Sequence, residues 1–380
     1  MKILLFTGAG TSRPSRLPST EEITESVMNG KWKDRPDIKD GRIFQPSDES
    51  SDKTVNVQRL LKQLELSANK YFMSRSERKA NYEDLYYLVR QFCEDEVRTH
   101  ENPAIEKFID ELKLQMRNIS GGDDLKVLAG DCCSLIYSVV SRKLSQEGES
   151  IEGLNLVDEL AKDSSIKKLD ICTLNHDLLF EKFLKANHEV NDGFAPVSKN
   201  AKFRVFDCDN FNALSMRIRL FKLHGSINWY CLERNQRSLD YPRIATPLQN
   251  ENPRDCEDSG FKLKSLNPVL LTGGTYNKLA AYGSFIYADL NHWFHRLLRE
   301  HDTILVSGYG WGDGGINQRL LEWFFLSPKN RMVLMYDENK DIFGETLRQT
   351  LPELIKKGRV LLTGKRMQHT RAEDIFNLPI

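Results

Sequence analysis

Chemistry in this chain can be sought where an imidazole, an amide, a carboxylate and a glycine-rich turn recur in short polar stretches. Those stretches are Gly8-Ala9-Gly10-Thr11-Ser12, Thr173-Leu174-Asn175-His176-Asp177 and His224-Gly225-Ser226, followed by Ser307-Gly308-Tyr309-Gly310 with Asp313 close behind, and finally Asp337. A histidine with an ordinary pKa near ~6.5 serves as a base near neutrality with little tuning. A glycine turn lets the backbone approach a phosphate, and the amides and helix dipole that follow favour negative charge. The tripeptide alone decides nothing, since 23 Gly in 380 residues make a random Gly-x-Gly expected roughly once. Its placement carries the weight. The apolar run Ile3-Leu4-Leu5-Phe6 precedes it, and the helix-start residues Ser19, Thr20, Glu21 and Glu22 follow.

Each stretch also has a purely structural reading. Thr173-x-Asn175-x-Asp177 could cap a helix beginning near Leu178, and for Asp177 alone capping is the better reading. His224 could be a satisfied core histidine, and Ser307 to Gly315 a flexible turn. His292 and His295 share one helical face beside Trp293, but no third acidic or His partner lies nearby, so packing or surface exposure is the expectation there, and no metal site is expected.

The elements that must position these residues read as alternating strands and helices. Apolar runs fall at Leu169–Thr173, Leu220–Leu223, Val269–Leu271, Thr303–Val306, Met332–Tyr336 and Val360–Leu362. Helical patterns separate several of them, at Leu178–Leu184, Ile316–Leu326 and Ile342–Ile355. The expected fold is α/β, a Rossmann-like parallel sheet wound by helices on both faces, with a helical insert domain and no zinc ribbon. Residues 1–30 and 166–380 would form the nucleotide-binding domain, and 31–165 a loop plus helical insert. In that insert Lys31–Lys53 reads as an irregular polar loop, and from Val55 to about Leu114 apolar residues recur at three-to-four spacing. Gln249–Ser265, charged and Pro-containing, reads as a loop. In open α/β sheets ligands bind beyond the carboxyl ends of the strands, and five strand ends here carry small or polar residues.

Composition narrows the classes. Lys plus Arg and Asp plus Glu balance at 54 each, so direct nucleic-acid binding is not expected unless through a local patch or a partner. No apolar stretch reaches transmembrane length, and the first strand is too short for a signal peptide, so a soluble cytoplasmic protein is expected. The seven Cys lack C-x-x-C spacing, which argues for free thiols rather than zinc. Gly8-x-Gly10-x-x-Arg13 lacks the third glycine of the dehydrogenase fingerprint, and Asp34 is not at a second-strand end. Neither G-x-x-x-x-G-K-[ST] nor G-x-S-x-G occurs.

Taken in order, Gly8-Ala9-Gly10-Thr11-Ser12, Leu17-Pro18-Ser19, Thr173-Leu174-Asn175-His176-Asp177, Lys222-Leu223-His224-Gly225-Ser226 and Ser307-Gly308-Tyr309-Gly310 resemble the motifs of the sirtuin superfamily. The block from 31 to 165 has no counterpart in the resemblance. The chain departs from protein deacylases in lacking a four-Cys zinc module and in carrying Arg16-Leu17-Pro18-Ser19-Thr20 where they have Gly-(Ile/Leu)-Pro-Asp-Phe-Arg. What remains is similar to the sirtuin-like NAD-consuming effectors of bacterial anti-phage systems, some of which act with a HerA-type ATPase.

The resemblance implies NAD+ as substrate, no metal, and cleavage of the nicotinamide–ribose bond. It implies that Gly8, Ala9, Gly10, Thr11 and Ser12 take the phosphates and that Asp177 takes the nicotinamide carboxamide. Asn175 would hold a ribose hydroxyl or the water, with His224 as base. Leu17, Pro18, Thr173, Gly225, Ser307, Gly308, Tyr309, Asp313 and Asp337 would complete the pocket. The expected function is an NAD+ glycohydrolase that depletes NAD+ in anti-phage defence, with a HerA-type ATPase partner and a homo-oligomeric state. Three rivals stand beside it: an NAD-dependent protein deacylase or ADP-ribosyltransferase, a non-catalytic NAD- or ADP-ribose-binding assembly module, and a nuclease subunit. For the nuclease no paired-carboxylate metal site is recognisable.

Overall fold

The computed structural model describes residues 1–29, 52–76, 78–93, 107, 110, 111, 114, 125–145, 151–195, 202–213, 215–234, 242–248, 253–257, 260–336 and 350–378. The chain divides into two compact units. One comprises Met1–Leu17, Leu144–Leu271 and Lys278–Ile380, the other Pro18–Lys143 with Thr272–Asn277.

The first unit is built on a seven-stranded sheet. Its strands are β1 (Lys2–Thr7), β2 (Lys168–Thr173), β3 (Val190–Asn191), β5 (Ile218–Lys222), β9 (Thr303–Ser307), β10 (Arg331–Met335) and β11 (Val360–Leu362), in the order β11-β10-β9-β1-β2-β5-β3. Every pairing is parallel. Strands buried on both faces need apolar residues at successive positions, which is why β1 reads Ile-Leu-Leu-Phe without alternation. Odd and even positions then feed two cores. Ile3, Leu5, Leu169, Ile171, Leu220 and Leu305 face one side, with Leu156, Leu160 and Phe180. Leu4, Phe6, Cys172, Phe221, Ile304 and Val306 face the other, with Trp293, Phe294, Leu320 and Trp323. Helices at Asn155–Lys162, Leu179–Asn187, Phe285–Glu300 and Gly314–Leu326 supply those partners.

The order reverses at β1, which has β2 on one side and β9 on the other. Register aligns Thr7 with both Thr173 and Ser307, and Thr173 with Lys222. Four strands therefore end level along one edge of the sheet, the edge at which such folds bind ligands.

A second, antiparallel sheet of four short strands belongs to the same unit: β4 (Phe203–Val205), β6 (Tyr230–Arg234), β7 (Arg243–Pro247) and β8 (Phe261–Leu263), in the order β4-β7-β6-β8. Its strands were not foreseen from the sequence. The expected loop at Gln249–Ser265 holds a 3-10 turn at Pro253–Cys256 and strand β8. The Val269–Leu271 run makes a single bridge, Leu270 to Gly225, rather than a strand.

Beneath the helix Phe285–Glu300 the sheet carries a buried ion pair. Arg219 Nε and one terminal nitrogen reach the two Asp170 carboxylate oxygens at 2.5 and 2.9 Å, and Arg219 also donates to the Phe211 carbonyl at 3.2 Å. Both side chains are almost wholly enclosed, so neither charge has water to fall back on.

The second unit is helical. Its helices include α1 (Thr20–Asn29), α2 (Asp52–Ser76), α3 (Tyr82–Cys93) and α4 (Leu125–Ser145). Ser19 and Glu22 form a capping box at the start of α1, each accepting the other's amide (3.2 and 2.5 Å). Leu60, Leu61 and Leu64 of α2, Leu85, Val89 and Phe92 of α3 and Leu128, Leu135 and Ile136 of α4 are buried. Facing α3 and α4 pair Tyr86 with Tyr137, hydroxyl to hydroxyl at 3.1 Å, and Cys93 with Cys133, Sγ to Sγ at 4.0 Å. The loop expected at Lys31–Lys53 lies almost entirely outside the described residues. Among the described residues no helix is long and apolar enough to cross a membrane.

Candidate functional site

The turn after β1 is a 3-10 helix, Ala9–Ser12, and it interlocks with the turn after β9. Gly8 donates its amide to the Ser307 carbonyl at 3.0 Å, and Gly10 donates to the Gly308 carbonyl at 2.9 Å. The Thr11 amide is taken by Gly8 at 3.0 Å, and the Thr11 hydroxyl by the Ser307 carbonyl at 3.1 Å. Three amides expected to meet a phosphate are thus committed to main-chain carbonyls, while Ala9 and Gly10 form the exposed rim of the turn. The glycines are required by this closeness. A Cβ on Gly308, whose φ is +61°, would stand 2.2 Å from the Thr11 amide nitrogen, and one on Gly8 2.7 Å from the Gly308 carbonyl. Two backbones touch here with no space for a methyl group.

From that turn Ser12 reaches the end of β2. Its hydroxyl donates to Asp177 Oδ2 at 2.8 Å and accepts from Asn175 Nδ2 at 2.8 Å. Asp177 Oδ1 accepts the amide of Leu179 at 3.0 Å, the first residue of the helix Leu179–Asn187, so the carboxylate holds a helix-end amide from one residue outside the N-cap position, which Leu178 fills. Thr173 Oγ1 accepts the Asn175 amide at 3.1 Å and shapes the same loop. Lys222, buried at the end of β5, donates to the Asp177 carbonyl and pairs with Glu181 at 2.8 Å. Ser12, Asn175 and Asp177 form one buried hydrogen-bonded chain across two elements, the turns after β1 and β2.

His224 follows β5 in a turn whose conformation depends on Gly225. Gly225 has φ +79°, and a Cβ there would meet the Val269 carbonyl at 2.1 Å. The Val269–Leu271 strap explains that contact: Ser226 donates to Val269 at 3.1 Å, and Leu271 to the His224 carbonyl at 2.8 Å. The Ile227 amide, donating to the His176 carbonyl at 3.0 Å, ties this turn to the Asn175–Asp177 loop. The rings of His176 and His224 lie 6.2 Å apart.

Behind His224 stands a group that no sequence pattern indicated. Tyr282 Oη lies 2.7 Å from His224 Nε2 and donates to Asp313 Oδ2 at 2.7 Å, with that oxygen 3.2 Å from the imidazole nitrogen. The other Asp313 oxygen caps the helix Gly314–Leu326, accepting from Gly315 at 3.0 Å and Ile316 at 3.1 Å. Burial pushes the Asp313 carboxyl up, but hydrogen bonding and charge from His224, with Lys278 and Tyr282, outweigh it and hold the group well below the usual carboxylate range. Burial pushes the His176 imidazole well below its ordinary value, reinforced by His224, Lys222 and Lys278, and among the described residues its Nδ1 finds no hydrogen-bond partner. Tyr282 follows the helix Thr275–Ala281, far from any motif, and only the geometry brings it forward.

Two further expected residues of the α/β unit lie in its core. Tyr309 turns into the core, its ring edge-on to Phe6 at 5.0 Å and its hydroxyl on Asn317 Oδ1 at 2.8 Å. Leu17 is buried beside Ile3 and Leu5. Pro18 belongs to the helical unit, and Asp337 lies outside the described residues. Among the described residues no group of three or more His, Cys, Asp or Glu is placed to hold a metal ion.

No protein-family model matches the chain. No curated protein matches it either. Among solved structures, a crystal structure of a Sir2 homologue–NAD complex aligns at 12% identity with a TM-score of 0.35, covering 99% of this chain and 89% of that one. A Sir2 homologue mutant–ADP-ribose complex aligns at 12% identity and a TM-score of 0.30, covering 94% and 89%. Likeness this slight does not extend to ligand or activity.

Proposed function

We propose that this protein hydrolyses NAD+ to nicotinamide and ADP-ribose. The observation that carries the reading is the buried chain Asn175–Ser12–Asp177 across the ends of β1 and β2, with the imidazole of His224 in the adjoining turn after β5. The nicotinamide of NAD+ is positively charged and leaves readily, so the protein must chiefly hold the ribose, orient a water and take its proton. In the step proposed, the water oxygen bonds to the ribose C1′ as the C1′–N bond breaks. The electron pair goes to nicotinamide and the water proton to His224. Asn175 holds a ribose hydroxyl or the water, and the exposed rim at Ala9 and Gly10 receives the phosphates, with Asp177 toward the carboxamide. The motif resemblance to sirtuin-like defence effectors supports placing the activity in anti-phage NAD+ depletion, in a homo-oligomer working with a HerA-type ATPase.

Purified protein mixed with NAD+ should release free nicotinamide, alone or with the ATPase added. Asn175→Ala and His224→Ala should fold normally and lose on the order of 10²–10⁴-fold in rate. If both variants keep the cellular effect, catalysis is not the function. If NAD+ loss requires an acylated peptide, the enzyme is a deacylase or transferase.

A further inference from the structure

Two side chains behind the turn after β5, Tyr282 and Asp313, fix where the imidazole proton sits. The Tyr282 hydroxyl has one proton, and its oxygen lies 2.7 Å from both Asp313 Oδ2 and His224 Nε2. The carboxylate can only accept. Were the phenol to donate to His224 instead, its oxygen would face Asp313 with no proton between them, and a bare Nε2 would face the same carboxylate at 3.2 Å. Both contacts would be repulsive in an enclosed setting, where unpaired polar groups are costly. The phenol therefore donates to Asp313, and Nε2–H donates to the phenol oxygen and the carboxylate. Asp313 is itself fixed by the two amides it caps, so the network has an anchored end.

We propose that Tyr282 and Asp313 are positioning residues that lock His224 as its Nε2–H tautomer, making Nδ1 the nitrogen that takes the proton from the attacking water. The proposal rests on the hydrolase reading for the last clause only. As the water O–H bond breaks, Nδ1 gains the proton and the ring becomes an imidazolium. Asp313 then faces a full positive charge through Nε2–H, directly and through the phenol. Neither positioning residue need touch NAD+, so their loss should fall on kcat rather than KM.

The test combines nitrogen NMR of protein labelled at histidine with turnover. The His224 signals are identified by their loss in His224→Gln. At neutral pH the wild type should show a pyrrole-type Nε2 and a pyridine-type Nδ1. Asp313→Asn retains a good N-cap residue, so the helix Gly314–Leu326 is kept. In that variant the phenol is released to donate to Nε2, which should move the proton toward Nδ1, and kcat should fall on the order of 10²–10⁴-fold with KM within a few-fold. Tyr282→Phe should give a mixture of tautomers and a smaller loss. A pyridine-type Nε2 in the wild type, or unchanged tautomers in both variants, overturns the proposal. If the wild type shows the stated tautomer but releases no nicotinamide with or without the ATPase, the hydrolase reading fails while the tautomer assignment stands.

Discussion

Replacing Gly308 by alanine tests the interlocked turns most directly. At φ +61° any L-residue pays for the left-handed conformation, about 1–2 kcal/mol. The added carbon would also lie 2.2 Å from the Thr11 nitrogen and 2.7 Å from the Gly10 carbonyl carbon, both backbone atoms that no rotamer change can move. Forced overlap of this kind typically costs a further 1–3 kcal/mol or so. The strand-end bonds from Gly8 and Gly10 would stretch with it, giving a total of about 2–5 kcal/mol. For a unit of this size that is a fall in Tm of roughly 5–15 °C. Tryptophan fluorescence is the suitable assay, since Trp229, Trp293, Trp311 and Trp323 are all buried in the α/β unit. Gly310→Ala is the control, because a Cβ there meets nothing within 4 Å. Equal midpoints for the two variants would refute the close-approach argument. The Gly308 variant should also displace Ser12 from Asn175 and Asp177, so nicotinamide release should fall further than the stability loss alone accounts for.

Acid should destabilise the protein in two stages. His176 has a folded-state pKa below its ordinary 6.5, so the unfolded chain binds the proton first, and stability held above about pH 6.5 is lost as pH falls through it. Asp170, Asp192 and Asp313 are held below their ordinary 3.8, and their contribution is lost only as pH falls below that value. Urea midpoints between pH 8 and 4 should show the first stage, with a slope of at most ~1.4 kcal/mol per pH unit from this one group. His176→Gln should flatten that stage, and an unchanged slope would remove His176 as its source. Asp170→Ala takes from the enclosed Arg219 guanidinium its bidentate partner, leaving it the Phe211 carbonyl and Glu300 at 3.9 Å, and should cost about 3–5 kcal/mol by denaturant unfolding. A loss under about 1 kcal/mol would mean that water reaches the pair. Asp177→Ala takes the side-chain acceptor from the buried Leu179 amide at about 1–3 kcal/mol, and a much larger effect on nicotinamide release than on stability would separate its two uses.

The parallel sheet was legible because strands buried on both faces leave uninterrupted apolar runs. β2, β9, β10 and β11 all fall within a residue or two of those runs. The antiparallel sheet was not legible. Its strands are three to five residues long, and their charges either pair inward, as Arg204 does with Asp192, or face outward, as Lys262 does, around a small core of Leu232, Ala245 and Cys256 with their neighbours. Val269–Leu271 misled for a related reason. Its residues are apolar because they lie beneath the turn that bears His224, and a strap uses the same residue types as a strand. At the site, the order of motifs pointed to Ser12, Asn175, Asp177 and His224, but not to how they touch. Tyr309 was expected at the ligand from its place at the end of β9 and from the motif resemblance, and its ring packs edge-on to Phe6. Tyr282 left no trace in any spacing, because a single side chain delivered by a loop has no periodicity to read.

The place of β1 in the sheet also governs when this chain can fold. It is flanked on one edge by residues 168–173 and on the other by β9, whose partner positions are translated roughly 300 residues later. At ordinary elongation rates of about 5–20 residues per second, the nascent Ile-Leu-Leu-Phe segment waits on the order of 15–60 seconds for its second neighbour. Until residues 168–173 are made both of its hydrogen-bonding edges are open, and until β9 is made one of them still is, the kind of segment on which chaperones act and from which aggregates grow. Yield in the cell is thus tied to a strand whose apolar residues the finished protein conceals.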